Sequence, residues 1–267
     1  MINSRSPLKK KRHHKKTRSD KGEIRATPRD IACILWIAEM YAARSDQIRR
    51  LLSRYPDPAH PFVGELVSES VVREQIARWQ RAGWIVYRRV LAAGPGWAYV
   101  TKKGLQLVDK DGLFLAKPPS PKRLNHIFAV NQVRLWMDVQ TDNNWSSERV
   151  LRAELELKRG ESSGSIPDAL IFPKGVRTAV EVQISELKPA EWEKKLTGLV
   201  YSWTSGYQRR YQWIWFYVSS QELKEAGEAA VEELADDEQN RIFFAVETDL
   251  LIADPWSEAL NRKAVKR

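Results

Sequence analysis

Residues 68–90, SESVVREQIARWQRAGWIVYRRV, decide how the first half of the chain folds. Ser68 can cap a helix whose apolar face repeats at helical spacing through Val72, Ile76 and Trp79. Gly83 ends that helix. Residues 84–90 and 97–101 are rich in β-branched and aromatic side chains, and a Gly/Pro loop separates them. The stretch therefore predicts a helix followed directly by a β-hairpin.

Two helices are predicted before this unit and one after it. Thr27 can cap the first, Pro28 suits its first turn, and the negative charge of Asp30 favours its positive end. A second, shorter helix starts near Ser45, and a further short helix begins around Lys103, after the hairpin. The predicted order is three helices, a hairpin and a short helix.

This order resembles the winged helix-turn-helix family over residues 27–115, and the resemblance is one of architecture. It implies that the third helix, Ser68–Ala82, enters the major groove of double-stranded DNA. Arginine and lysine side chains on this helix, on the hairpin and just after it would contact bases and phosphates: Arg73, Arg78, Arg81, Arg88, Arg89, Lys102 and Lys103. The alternative is a protein-interaction module with a solvated basic face.

The charge distribution also favours a polyanionic partner. The net charge is +10, and residues 1–18 alone contain eight lysines and arginines and no acid. Residues 1–26 are poor in large apolar side chains and are expected to form a disordered basic tail. Nucleic acid is the commonest partner of such a segment, although a tail that only aids solubility is the alternative.

Composition points to a cytoplasmic protein with no membrane partner. The single cysteine, Cys33, excludes an internal disulfide framework and is expected to be a buried, inert thiol. The apolar stretches are short and broken by charge, so no transmembrane segment is predicted. The basic N-terminus lacks the apolar core of a secretory signal.

The second half follows a predicted linker at residues 116–123. Residues 124–253 alternate helical and β-prone patterns, with a predicted strand at 149–158 among them, and residues 254–267 form a C-terminal tail. The expected order is α-β-β-β-α-β-α-β, which places the chain in the α/β (α+β) class.

Two acids on neighbouring predicted strands suggest a metal site. Asp168 lies on one strand and Glu181 on the next, with Gln183 two residues further on the same face. If the strands pair as a hairpin, the two carboxylates converge. Because close carboxylates repel each other and oxygen ligands suit hard cations, Mg²⁺ or Mn²⁺ is the expected ligand.

The acids and the element order resemble the PD-(D/E)XK nuclease superfamily. The resemblance implies that Asp168 and Glu181 are metal ligands and that Glu148 is a supporting acid. Gln183 occupies the position where the family usually has a catalytic lysine, and glutamine supplies no positive charge. The residues that could replace this lysine in space are Lys188, Lys194 and Lys195. The alternative is an inactive site in a fold retained for binding.

The two halves together resemble the replication-relaxation family of bacterial plasmids and integrative elements. The resemblance is carried by His126, Asn131, Arg134 and Leu135, by the segment from Trp145 to Glu148, and by residues 167–171 and 181–185. It implies a role in plasmid replication, relaxation or transfer and places His126 near the acids, whereas the residues alone favour a capping or core histidine. A homodimer and replication or transfer proteins are expected partners. The alternatives are a non-catalytic DNA-binding regulator and a protein-interaction scaffold.

Overall fold

The described part of the first half of the chain forms four helices and a small sheet. The computed structural model describes residues 24–55, 66–90, 95–116, 120–140, 145–156, 165–204 and 211–246. The first-half elements are α1 (Pro28–Glu39), β1 (Ala43–Arg44), α2 (Ser45–Arg54), α3 (Glu69–Arg81), β2 (Ile85–Arg88), β3 (Trp97–Val100) and α4 (Lys102–Leu107). The strands form an antiparallel sheet in the order β1-β3-β2. The predicted helices and hairpin are confirmed, and β1 is an addition.

The predicted caps of α1 and α3 are confirmed at the level of individual hydrogen bonds, whereas α2 starts at Ser45 with Arg44 at its N-cap and no side-chain cap hydrogen bond. The Thr27 hydroxyl accepts from the Asp30 N–H at 3.2 Å, and the Asp30 carboxylate accepts from the Thr27 N–H at 2.7 Å, which makes a capping box. Ser68 caps α3 through the Val71 N–H. Gly83 follows α3 with φ +75°, a conformation that glycine adopts without steric cost.

The second half is built on a mixed five-stranded sheet. Its elements are α5 (Pro121–Gln140), β4 (Ser146–Ser147), α6 (Glu148–Glu154), β5 (Ala169–Ile171), a 3₁₀ turn (Pro173–Gly175), β6 (Thr178–Gln183), α7 (Pro189–Thr204), β7 (Trp213–Val218), α8 (Gln221–Val231), α9 (Asp236–Gln239) and β8 (Ile242–Val246). The strand order follows the chain from β4 to β8. Pairing is antiparallel from β4 to β6 and parallel from β6 to β8. The chain is therefore a mixed α/β protein.

The strand predicted at residues 149–158 is wrong, because its described part is the helix α6. The Ser147 hydroxyl accepts from the Val150 N–H and caps the helix. Glu148 and Arg152, four residues apart, then form an ion pair of 2.7 Å along the helix surface. These local signals outweigh the alternation that suggested a strand. Glu148 consequently begins a helix instead of lying on a strand.

The long helix α5 packs against both halves of the chain. Its buried Asn131 donates to the Ala42 carbonyl and to the Gln47 amide oxygen, both at 2.9 Å. Gln47 in turn donates to the Phe128 carbonyl at 3.1 Å. Apolar residues from α1, α3, α5 and the large sheet belong to one continuous core. The acids of the second half are therefore positioned against elements of the first half.

Several predictions fall wholly or mainly outside the described residues. These are the basic tail, the C-terminal tail and the centre of the linker. Cys33 is buried, as predicted, and burial raises the pKa of its thiol. Within the described parts of the chain, no helix is both long and apolar enough to cross a membrane.

Candidate functional site

The pairing of β5 with β6 brings Asp168 and Glu181 to the same part of the sheet. Ala169 lies opposite Val180 in the antiparallel register, so Asp168, one residue before β5, falls opposite Glu181. Directly opposed residues in an antiparallel pair project from the same face. The hairpin predicted from the sequence is present, and we refer to Asp168 and Glu181 as the acid pair.

Asp168 is fixed by contacts on both carboxylate oxygens. Its Oδ1 lies 2.9 Å from His126 Nε2, and its Oδ2 accepts from the Val182 N–H at 2.8 Å. Burial alone would lower the pKa of His126, but the hydrogen bond and the charge of Asp168 outweigh burial and raise it. His126 therefore neither caps a helix nor lies in the apolar core; it contacts the acid pair from α5.

Glu181 is buried and paired with one lysine. Its Oε2 lies 2.8 Å from Lys195 Nζ, which reaches it from α7. Burial raises the pKa of Glu181 to about 7, with Asp168 adding to the effect and Lys195 opposing it. Burial would lower the pKa of Lys195, but the two carboxylates raise it. Burial thus favours the protonated form of Glu181, while the two carboxylates favour the charged form of Lys195.

Gln183 holds Lys195 in place. Its Oε1 accepts from Lys195 Nζ at 3.0 Å, and its Nε2 donates to the Ser185 carbonyl at 2.6 Å. The side chain is buried and its amide orientation is set by these two contacts. Of the three lysines considered from the sequence, Lys195 is the one that lies against the acid pair.

Glu148 is near the acid pair but is engaged elsewhere. Its backbone N–H donates to the Asp168 carbonyl at 2.8 Å, while its side chain accepts from Arg152 at 2.7 Å. Glu148 and Asp168 both line a narrow cleft between α1, α5 and α6. The role of supporting acid that the resemblance implies for Glu148 stays a prediction.

The acid pair suits a hard divalent cation. Mg²⁺ usually binds one or two carboxylates and completes its coordination with waters and substrate phosphates. In the described parts of the chain, no group of three or more His, Cys, Asp and Glu side chains is arranged to hold a metal. The two carboxylates of the acid pair are the described groups that could hold such a cation, and the metal site stays a prediction.

Six of the seven predicted DNA-contacting cations are exposed and lie on connected elements. Arg73 and Arg81 are exposed on α3, Arg88 and Arg89 lie at the end of β2, and Lys102 and Lys103 form the first turn of α4. A Cβ on Gly83 would lie 3.6 Å from the Lys103 side chain, so Lys103 sits beside the end of α3. No described carboxylate lies within ion-pair distance of these six cations.

Arg78, the seventh predicted cation, is engaged inside the protein. Its guanidinium donates to both oxygens of Asp30 at 2.6 Å and to the Arg25 carbonyl at 2.6 Å. Gln75 and Trp79 also donate to Asp30, at 2.6 and 2.7 Å. The position of Arg78 on α3 was predicted, but its partner was not, because Asp30 lies 48 residues earlier in the chain.

Comparison with known proteins adds no relative. No protein-family model, no curated protein and no solved structure matches the chain.

Proposed function

We propose that the chain is a double-stranded DNA-binding protein with a metal-dependent phosphodiester-cleaving site of the PD-(D/E)XK type. Residues 27–115 would act as a winged helix-turn-helix, and the acid pair with Lys195 would act on the DNA backbone. The biological setting that we propose is replication, relaxation or transfer of a bacterial mobile element.

The shape and charge of the first half support the DNA-binding part. Three described helices precede the hairpin, and β1 pairs with β3, so the hairpin forms a small three-stranded sheet with β1, as the winged helix-turn-helix resemblance would require. The exposed face of α3 contains Arg73, Ala77 and Arg81, spaced by one helical turn. Small Ala77 would let the helix approach a groove closely, and the two arginines would reach bases or phosphates.

The single observation that carries the catalytic proposal is the position of Lys195. Its Nζ lies 2.8 Å from Glu181 and 3.0 Å from Gln183. The motif has no lysine at position 183, yet a lysine from the neighbouring helix supplies the ammonium beside that position. Lys195 lies on α7, which follows the antiparallel strands β4 to β6 and leads into the parallel strand β7. This order of elements brings the lysine next to the acid pair.

Each residue would have a distinct task in cleavage. Mg²⁺ or Mn²⁺ held by Asp168 and Glu181 would stabilise charge on the phosphodiester and activate water. Lys195 holds its ammonium next to Glu181 and can stabilise the negative charge that grows on the phosphate. Gln183 positions Lys195. His126 and the Val182 N–H orient the two oxygens of Asp168.

Nicking of supercoiled plasmid DNA in Mg²⁺ or Mn²⁺ tests the catalytic proposal. We expect Asp168→Ala and Glu181→Ala to abolish nicking, and Lys195→Met to lower it roughly 10²- to 10³-fold. Lys194→Met is the matched control, because Lys194 is the exposed neighbour of Lys195 on α7. Equal losses in the Lys194 and Lys195 variants would contradict the proposed role of Lys195.

A second candidate is a non-catalytic regulator or replication accessory factor that binds DNA. The observation that favours it is that both carboxylate oxygens of Asp168 already have hydrogen-bond partners, His126 and the Val182 N–H. Under this reading, plasmid DNA stays supercoiled with every divalent metal. DNA binding would persist, and replacing the acid pair would leave the affinity unchanged.

Both candidate functions require DNA binding, and the salt dependence of the DNA affinity tests this shared requirement. Each lost phosphate contact should reduce the slope of log K against log salt by about 1. We therefore expect Arg73→Ala and Arg81→Ala each to weaken binding and flatten the slope. Arg177→Ala, a change in the second half away from α3, is the control. Affinity that does not depend on salt would exclude this mode of binding.

A further inference from the structure

The narrow cleft beside the acid pair contains two residues that the proposed function does not use, one from each half of the chain. Tyr41 follows α1, and Arg123 lies in the first turn of α5, one turn before His126. Both line the cleft together with Glu148, His126 and Asp168. The Arg123 guanidinium lies 5.5 Å from the centre of the Tyr41 ring. The cleft is therefore built from both halves of the chain.

The backbone at Tyr41 is held in a conformation that tyrosine rarely adopts. Its φ is +65°, in the left-handed region, which is sterically unfavourable for a bulky side chain. The turn is held by the Ala42 N–H, which donates to the Met40 carbonyl at 2.8 Å, and by Asn131, which donates to the Ala42 carbonyl at 2.9 Å. The fold thus fixes the tyrosine ring at the cleft. A glycine at this position would adopt the same backbone conformation without strain, but it would place no side chain there.

The cations around the acid pair differ in whether they are already paired. Lys195 is bound to Glu181 at 2.8 Å, and Arg152 is bound to Glu148 at 2.7 Å. Arg123 is exposed, and no described carboxylate lies within ion-pair distance of it. The Tyr41 hydroxyl likewise has no hydrogen-bond partner among the described residues. An unpaired guanidinium and an unpaired hydroxyl are suitable donors for a phosphate oxygen.

We propose that Arg123 and Tyr41 form a subsite for a backbone phosphate of the DNA strand that is cleaved at the acid pair. Such a site needs positive charge, because the neighbouring carboxylates repel a phosphodiester. Arg123 supplies the charge, and the Tyr41 ring supports the guanidinium while its hydroxyl donates to a phosphate oxygen. Tyr41 of the first half would thus help to position the substrate at the site of the second half. The inference rests on the proposed function.

Arg123→Ala tests the subsite against a matched control. Arg177→Ala removes the same charge and the same type of ring contact, since the Arg177 guanidinium lies 5.4 Å from the Phe172 ring. Arg177 precedes β6 at the end remote from Glu181, about four residues or roughly 13 Å along the strand. We expect Arg123→Ala to raise KM for plasmid DNA about 10- to 100-fold, the loss typical of a charged hydrogen bond, and kcat to change little. Arg123→Lys should recover part of the loss, and Tyr41→Phe should raise KM less.

A binding measurement separates the subsite from catalysis. Arg123→Ala should lower the salt slope of DNA binding by about 1, whereas Arg177→Ala should not. Mn²⁺ binding alone, measured by calorimetry, should be the same in wild type and Arg123→Ala. If the wild type does not nick DNA but the slope still falls in Arg123→Ala, the subsite stands and catalysis fails. If Arg123→Ala matches Arg177→Ala in both slope and KM, or if it loses Mn²⁺ binding, the subsite is overturned.

Discussion

Two buried acids, Asp30 in the first half and Glu181 in the second, are held in opposite ways. Asp30 is 1% exposed, and its carboxylate accepts from Thr27, Gln75, Arg78 and Trp79 at 2.6 to 2.7 Å. Glu181 is 5% exposed, and Lys195 is the partner of its carboxylate in the described part of the chain. Burial alone would raise the pKa of both acids. At Asp30 the hydrogen-bond donors outweigh burial, so the pKa is lowered. At Glu181 burial prevails.

The difference indicates which acid serves the fold and which is available for a ligand. A buried carboxylate with several donors has no free capacity for a further cation, and its charge is stabilised by the fold. A buried carboxylate with one amine and a second acid nearby is under-compensated, so an added cation would lower its free energy. Asp30 joins α1 to α3, whereas Glu181 is suited to binding.

Asp30→Asn should produce the largest loss of stability. The amide would place donor hydrogens against Gln75, Arg78 and Trp79, and it would remove the charge that pairs with Arg78. We expect the free energy of unfolding to fall by about 3–5 kcal/mol, as for other broken buried ion pairs. Urea unfolding followed by circular dichroism measures this.

Asp46→Asn is the matched control for this change. Asp46 also pairs with an arginine at 2.6 Å, but its side chain is 46% exposed. We expect a loss of no more than about 1 kcal/mol, because exposed ion pairs contribute little. Similar losses in the two variants would show that the Asp30 network does not hold the fold.

Divalent cations should stabilise the protein through the acid pair, with the next largest effect. Ligand binding to the folded state adds about 2.7 kcal/mol at 100 times Kd. We expect Mg²⁺ or Mn²⁺ to raise the Tm of the wild type and of Asp30→Asn, because Asp30 has no free capacity. Thermal unfolding with increasing metal measures this. Equal shifts in Glu181→Gln would place the bound metal elsewhere.

Local signals in the sequence were sufficient for much of the fold. Thr27 and Ser68 are adjacent in sequence to the groups that they cap, so both helix starts could be predicted. The predicted strand at 149–158 is wrong because the cap at Ser147 begins a helix despite the alternating apolar residues. For short segments, periodicity alone does not separate a strand from a helix.

The candidate site could be predicted only where its residues lie on adjacent strands. The spacing of Asp168 and Glu181 predicts a hairpin, and the register agrees with it. Which lysine reaches Glu181 depends on how α7 packs over the sheet, so the sequence left three lysines open. Three partners of Asp30, Gln75, Arg78 and Trp79, lie 45 to 49 residues later in the chain. No local pattern indicates such contacts, and Asp30 was recognised only as a first-turn acid.

Glu181→Gln should have the smallest effect on stability, and the sign of that effect should depend on pH. The pKa of Glu181 is raised from 4.5 to about 7 in the folded protein, so folding favours its protonated form. The stability of the wild type therefore falls as pH rises from about 4.5 through about 7, because the carboxylate then ionises inside the protein. Glutamine does not titrate.

The two proteins should consequently differ by less than about 1 kcal/mol near pH 5, where the amide resembles the protonated acid. Near pH 8 the variant should become the more stable of the two in the absence of divalent metal. Asp30 titrates in both proteins and cancels, whereas the charge of Glu181 also raises the pKa of His126, so the difference between the two unfolding curves reports Glu181 together with its effect on His126. Glu228→Gln, at an exposed side chain, controls for the loss of one charge. A difference that stays constant with pH would mean that Glu181 is as well compensated as Asp30, and the contrast between the two acids would then no longer identify a binding site.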